Sequence, residues 1–387
     1  MPKTKVTVID IGSKSISALI GEKGVNNTFV THGFSECDYA GYYEGEFLEE
    51  DKLKETISKV LLEAQSSAAT TIEKVYVGVP ACFSFCKTTS LTQTFGQKVK
   101  VMYENLATLY RRASESMGSD NYVLISCSPI NFVLDDGRAM LDIVGQKTSK
   151  ITAELSIVYA ESWFIEKINE ILKDLGIKSV EYLSAPLCQS LYLLPKERRM
   201  VSSVVIDCGY IETSVSIVKG DGLCLLRSFA VGGGHVSADL MECLNITFNE
   251  AENLRKQLIL SVVPTDKDDY EIARDGRVVP ISMKQANEIA SDRIDMIGKL
   301  VKKCLNFDEQ TKYLPYYLTG GGISYIKGAK DILSEALGEN VSILYPKDVN
   351  LAKPQYSSLL GLADKALSQE KGNKNFFTSL LDKILRR

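Results

Sequence analysis

Two short stretches carry the residues best suited to chemistry. Val6–Ile20 reads VTVIDIGSKSISALI: β-forming residues lead to Asp10, a small polar turn follows at Gly12-Ser13-Lys14-Ser15, and an apolar run resumes at Ile16. Strand, tight turn, strand is the natural parsing. Gly12 lets the backbone approach a ligand, Ser13 and Ser15 offer hydroxyls, and Lys14 brings a positive charge. Exposed N–H groups in such a turn form an anion-binding concavity. Asp10, just before it, suits a Mg²⁺ held through water. Alone, the pattern is weak and reads more readily as an ordinary hairpin.

An echo half a chain later changes this. Val204–Val218 reads VVIDCGYIETSVSIV, and aligning Asp207 with Asp10 places Gly209 under Gly12. A repeated hairpin of this kind implies two similar domains facing a cleft, with a phosphate gripped from both sides. The duplication resembles the plan of the actin/sugar-kinase/Hsp70 ATPase superfamily. The expected fold is therefore α/β, with two actin-like domains around a nucleotide cleft.

Composition sets the outer limits. The 387 residues suggest two to three domains, and 45% hydrophobic with 24% charged residues is ordinary for a globular chain. A net charge of −4 argues against a nucleic-acid footprint over the whole protein. Nine cysteines lie scattered, Cys82 and Cys86 being the closest pair, and only two histidines accompany them. That usage predicts reduced thiols rather than a metal site or a disulfide framework. The opening MPKTKVTVID runs directly into the first strand, so no signal peptide is expected. No apolar run approaches the roughly 18–20 residues of a membrane span.

Along the chain, a third strand is predicted at 28–35 and a helix over 51–64 with Leu53, Ile57, Val60, Leu61 and Ala64 on one face. A short buried strand follows at 75–79. Residues 81–159 read as a compact α+β insertion, with strands at 88–101, 128–134 and 153–159 and a helix at 105–116. Helices are expected at 163–175, 185–193, 236–243, 248–260 and 284–304. Tyr316–Tyr325, YYLTGGGISY, is a strand running into three glycines, and Gly232-Gly233-Gly234 forms a second triplet ahead of a helix. Such strand-to-glycine turns let a flat ring or a phosphate approach the backbone.

These pieces together resemble FtsA, the bacterial cell-division actin homologue, from residue 5 to the end. The matching segments are both hairpins, LGIKSVEYL, GGGHVSADL, AENLR, LTGGG and KPQYSSLLGLA. The insertion at 81–159 sits where that family carries its distinctive 1C subdomain. The resemblance implies subdomain 1A at 1–80 and 160–196, 2A at 197–229 and 301–365, 2B at 230–300, and a linker at 366–374. It further implies ATP with Mg²⁺ in the cleft. Asp10, Gly12, Ser13, Lys14 and Ser15 match the first phosphate loop, and Asp207, Gly209 and Thr213 the second, with Asp10 and Asp207 at the metal. Gly233 and Gly234 fall in the connection lining the cleft. Glu252 and Arg255 would flank the adenosine, and Gly320, Gly321, Gly322 and Ile323 would form its floor.

The second loop departs from the family pattern. Where small residues and a hydroxyl are usual, this chain has Tyr210, Ile211 and Glu212. A carboxylate beside a phosphate is repelled unless a metal lies between them, and β-branched Ile211 resists positive φ. Slow ATP turnover at most is expected, with nucleotide serving first as a structural or switching ligand.

The tail has its own composition. NFFTSLLDKILRR, residues 375–387, places Phe376, Phe377, Leu380, Leu381, Ile384 and Leu385 on one helical stripe, and Lys383, Arg386 and Arg387 add basic charge. From residue 371 onward, five Lys/Arg face one Asp. A helix docked on the body would show the same stripe. The terminal position, polar linker and basic excess favour an amphipathic helix lying in an anionic leaflet. One such helix binds weakly, whereas a filament bearing many binds by avidity.

The function expected from the resemblance is a division adaptor. It would form actin-like filaments with itself, contact FtsZ through 2B and other division proteins through the insertion, and bind the anionic cytoplasmic face of the membrane at the division site. No nucleic-acid partner is expected. A small-molecule kinase of the superfamily lacks a sugar-binding signature here, and a chaperone would need a β-rich domain after the ATPase. The nearest competitor is a PilM-like cytosolic scaffold that binds a partner peptide, or a degenerate ATPase of the same fold.

Overall fold

β1 (Lys5–Ile11) is buried on both faces, which is why its sequence is a nearly unbroken apolar run. In the computed structural model, which describes residues 5–24, 28–115, 121–274, 276–305, 311–348 and 350–371, β1 is the centre of a five-stranded sheet. β2 (Ser15–Lys23) returns antiparallel to it and β3 (Phe29–Asp38) continues outward. A small hairpin, β4 (Tyr42–Tyr43) and β5 (Glu46–Phe47), precedes α1 (Glu50–Ala68). The α1 stripe of Leu53, Ile57, Val60, Leu61 and Ala64 is fully enclosed, as its spacing predicts. β6 (Lys74–Val79) then lies parallel to β1.

The insertion is a second, four-stranded sheet in the order β7-β10-β8-β9. Its members are β7 (Ser84–Lys100), β8 (Tyr122–Leu134), β9 (Ala139–Met140) and β10 (Lys147–Glu161), with α2 (Tyr103–Ser114) packed against them. The strands are longer than their alternating cores suggest. Ladder hydrogen bonds carry polar residues such as Thr88 and Ser126 into the sheet. The chain returns through α3 (Ser162–Asp174), β11 (Ser179–Ser184), α4 (Ala185–Leu193) and a short α5 (Lys196–Met200).

The second half repeats the first. β12 (Ser203–Cys208), β13 (Thr213–Lys219) and β14 (Gly222–Phe229) form an antiparallel run. Then come α6 (Gly233–Leu244), α7 (Phe248–Arg255), the hairpin β15 (Asp269–Arg274) with β16 (Arg277–Ser282), and α8 (Met283–Cys304). β17 (Tyr316–Thr319), α9 (Ala329–Leu337), β18 (Val341–Ile343) and α10 (Ser357–Lys371) complete the described chain. The sheets run β3-β2-β1-β6-β11 and β14-β13-β12-β17-β18, matching strand for strand. Asp10 faces Ser17 across its hairpin as Asp207 faces Ser214 across the other.

Three boundaries differ from expectation. The helix predicted over 248–260 stops at Arg255, because the β-forming run after it pairs Ile259 with Lys327. The strand leading to the glycine triplet ends at Thr319, where Gly320 takes φ +89°. The stretch predicted as a linker from 366 is helical to Lys371, since Ala366 and Leu367 bury against the first sheet and Glu370 pairs with Lys74 at 2.7 Å. The residues assigned to membrane contact, Phe376, Phe377, Leu380, Leu381, Lys383, Ile384, Leu385, Arg386 and Arg387, lie outside the described residues.

α10 brings the chain back to the first sheet: Leu359, Leu362, Ala363 and Leu367 pack on Val6, Val8, Leu19 and Tyr76. The insertion also touches the second half. The Ser156 hydroxyl donates to the Leu223 carbonyl at 2.7 Å and accepts the Leu223 N–H at 3.0 Å.

Candidate functional site

Between the two sheets lies a cavity of about 1060 Å³, and the ends of β1 and β12 both open into it. The two hairpin turns have one construction. The Gly12 N–H donates to the Ser15 carbonyl at 2.9 Å, and the Gly209 N–H to the Glu212 carbonyl at 2.8 Å. A Cβ on either glycine would fall 2.9 Å from that carbonyl, so the tightness of each turn requires glycine.

Asp10 and Asp207 close the strands at the cavity floor, each held by a helix from elsewhere. The Ser358 hydroxyl of α10 donates to Asp10 Oδ1 at 2.9 Å. The Gln189 amide of α4 donates to Asp207 Oδ2 at 2.8 Å and to the Ser357 hydroxyl at 2.9 Å, and Ser357 in turn bonds Thr319. Burial raises the Asp10 carboxyl to about 7, against the Ser358 hydrogen bond and with help from the charge of Asp207. Burial also raises Asp207, opposed by Gln189. Among the described residues no cation acts on either carboxyl, which is the environment in which such acids keep a proton.

A second cluster sits at the other end. Arg255 of α7 is almost wholly enclosed; its guanidinium donates to Glu252 at 3.1 and 3.2 Å and to the Gly322 carbonyl at 2.7 Å. The Ser237 hydroxyl also donates to Glu252, and the Lys14 ammonium lies 3.4 Å away. Burial alone would raise Glu252, but Ser237, Arg255 and Lys14 bring it down to about 2. The Tyr210 ring lies under Lys14 at 4.4 Å and near Arg255 at 5.6 Å, with Tyr325 on Arg255 at 5.3 Å. These distances are those of cation–π contacts.

Of the residues singled out from sequence, Asp10, Gly12, Ser13, Lys14, Ser15, Asp207, Gly209, Arg255, Gly320 and Gly321 line the cavity. Glu252 stands just behind it, holding Lys14 and Arg255. The Thr213 hydroxyl is engaged by the Val231 carbonyl at 2.7 Å, fixing β13 to the approach to α6. Gly233 and Gly234 donate their N–H groups to the Gly209 and Tyr210 carbonyls at 2.9 and 2.7 Å. A Cβ on Gly233 would meet the Gly322 carbonyl at 2.3 Å, so the three glycine turns are packed backbone on backbone. Ile323 is buried in the core of the second half.

Gln189, Ser357, Ser358 and Tyr325 were not singled out individually. The signal for Ser357 and Ser358 lay within KPQYSSLLGLA; nothing marked Gln189. Among the described residues no group of three or more His, Cys, Asp and Glu is placed to hold a metal alone. A cation here would be held through water or ligand oxygens, with Asp10 and Asp207 behind it. The glycine turns, the unneutralised acid pair and the cavity size fit an anionic ligand carrying such a cation.

Residues 204–361 match the family model of FtsA, described as cell division protein FtsA. The chain is similar to FtsA. FtsA of Streptococcus pneumoniae serotype 2 is 21% identical over 365 residues, covering 93% of this chain and 79% of the relative. FtsA of Bacillus subtilis is 19% identical over 359 residues, covering 92% and 81%. Among solved structures, a chain of the PilM–PilN type IV pilus biogenesis complex superposes with TM-score 0.64 at 16% identity, over 95% of this chain and 99% of that one. MreB5 of Spiroplasma citri bound to AMPPNP gives 0.59 at 13% identity, over 98% and 100%. The fold is the actin-like one shared with these structures. No helix among the described residues is long and apolar enough to cross a membrane.

Proposed function

We propose that this chain acts in cell division as an actin-like, filament-forming adaptor that binds an adenine nucleotide with Mg²⁺ and tethers FtsZ to the membrane. The observation that carries the nucleotide part is the pair of identical turns on one cavity, each preceded by a buried aspartate. In this reading Gly12–Ser15 and Gly209 hold phosphates, Asp10 and Asp207 hold the cation through water, and the nucleoside lies by Arg255, Gly320 and Gly321. Bound Mg²⁺ would neutralise phosphate charge. The chain's own part is to orient the phosphates on backbone N–H groups and to keep both carboxylates aimed by Ser358 and Gln189. ATP is the nucleotide implied by the resemblance.

The division part is supported by the FtsA family match and by FtsA relatives spanning most of the chain. Subdomain 2B at 230–300 would meet FtsZ, the insertion at 81–159 other division proteins, and copies of the chain one another. The tail 375–387 would lie in the anionic inner leaflet. Co-sedimentation with anionic vesicles tests this directly, comparing the full chain with a version ending at Gly372, with and without nucleotide. Pelleting of the full chain alone is expected, and more strongly with nucleotide. If neither version pellets under any condition, the membrane adaptor is ruled out.

A further inference from the structure

The phosphate end of the cavity is partly filled by the protein itself. The Ile211 N–H donates to the Ser13 hydroxyl at 3.1 Å, joining the second turn to the first. Ile211 also crosses to the first half, where its Cδ1 is 3.3 Å from the position of a Cβ on Gly41. Glu212 follows, with Tyr42, Ser228 and Cys82 around its carboxyl and with Oε1 lacking any hydrogen-bond partner among the described residues. Glu212 is among the residues lining the cavity.

A phosphate oxygen accepting from both turns holds its two donors roughly 5–6 Å apart, twice an ordinary hydrogen-bond length. At 3.1 Å the turns are already in direct contact, so no phosphoryl group fits between them. The first N–H groups of α6, on Gly233 and Gly234, serve the Gly209 and Tyr210 carbonyls. Two cations that line the cavity, Lys14 and Arg255, both lie against Tyr210, toward Glu252.

We infer that Tyr210-Ile211-Glu212 occupies the place of a third phosphate, so that the cleft takes a nucleoside diphosphate and discriminates against the triphosphate. This rests on the nucleotide reading above and narrows it. The Ser13 hydroxyl and Ile211 are the specificity-determining pair, and Glu212 keeps the segment seated beside Tyr42.

Calorimetric titration of the full chain with ADP and with AMPPNP, both with Mg²⁺, is the test. The expected result is ADP binding at least tenfold tighter. In a variant with Ile211→Gly and Glu212→Thr, AMPPNP is expected to recover to within about threefold of ADP. The wild-type comparison needs no variant to fold, and Ile211→Ala, which only shortens the side chain, is expected to fall between the two. Equal affinity of the wild type for both nucleotides, or preference for AMPPNP, overturns the discrimination while leaving nucleotide binding intact. Binding of neither overturns both.

Discussion

Asp10 and Asp207 both line the cleft, and desolvation there makes the charged form of each carboxyl unfavourable. Below about pH 4 Asp10 is protonated folded and unfolded alike. Between its ordinary value of 3.8 and its raised value of about 7, the native protein holds a proton that the unfolded chain has released. Stability therefore falls as pH rises through that window, by about 1.4 kcal/mol per pH unit, and levels off above 7. Asp10→Asn removes the effect. Urea unfolding at pH 5 and pH 8 should show the wild type losing about 3 kcal/mol more than the variant over that interval. Parallel pH profiles would show that the carboxyl is not strained. The aspartates and glycines were legible in the sequence because the hairpin is written twice. Gln189 and Ser358 were not, since a polar residue on a helix has no local mark of what its side chain will meet.

At the scale of elements, α10 shows where pattern reading fails. Leu359, Leu360, Leu362, Ala363, Ala366 and Leu367 are buried at helical spacing while Ser368 and Glu370 stay exposed, but Gly361 in the middle of so short an apolar run weakens the helix signal. β14 was missed for a related reason: Leu223 and Leu226 are buried three positions apart across a bulge, which breaks the two-residue alternation. α1, with one wet face, was read nearly correctly. The contact of α10 with α4 gives a prediction of its own. A Cβ on Gly361 would lie 2.7 Å from the backbone of Cys188 and Gln189, atoms that cannot rotate away. Gly361→Val should cost roughly 1–3 kcal/mol, read as a lower urea midpoint. An unchanged midpoint would mean that the helices tolerate separation, and with it a looser Gln189–Ser357 bond.

At the scale of the molecule, the repeat explains the architecture. Two copies of one five-stranded unit face each other, and what distinguishes them is what each carries: the inserted four-stranded sheet in the first, the helices α6 to α8 and the β15–β16 hairpin in the second. That duplication was visible from the two Asp-x-Gly hairpins alone. The pairing of β14 with the insertion was not, because Ser156 and Leu223 are brought together only by the arrangement of the halves. The chain's last described element belongs to its first sheet, so truncations should separate sharply. A version ending at Gly372 is expected to unfold with the wild-type midpoint. One ending at Asn350 exposes Val6, Val8, Leu19 and Tyr76 and should give no cooperative transition in circular dichroism.

The return of α10 also sets an order of events during synthesis. β1 and β2 leave the ribosome long before α10, yet much of one face of their sheet is covered by residues 359–367. At 5–20 residues per second, that face waits roughly 20–70 s for its cover. Over that interval the nascent chain presents an apolar sheet surface, and a holding chaperone is the natural occupant until α10 arrives.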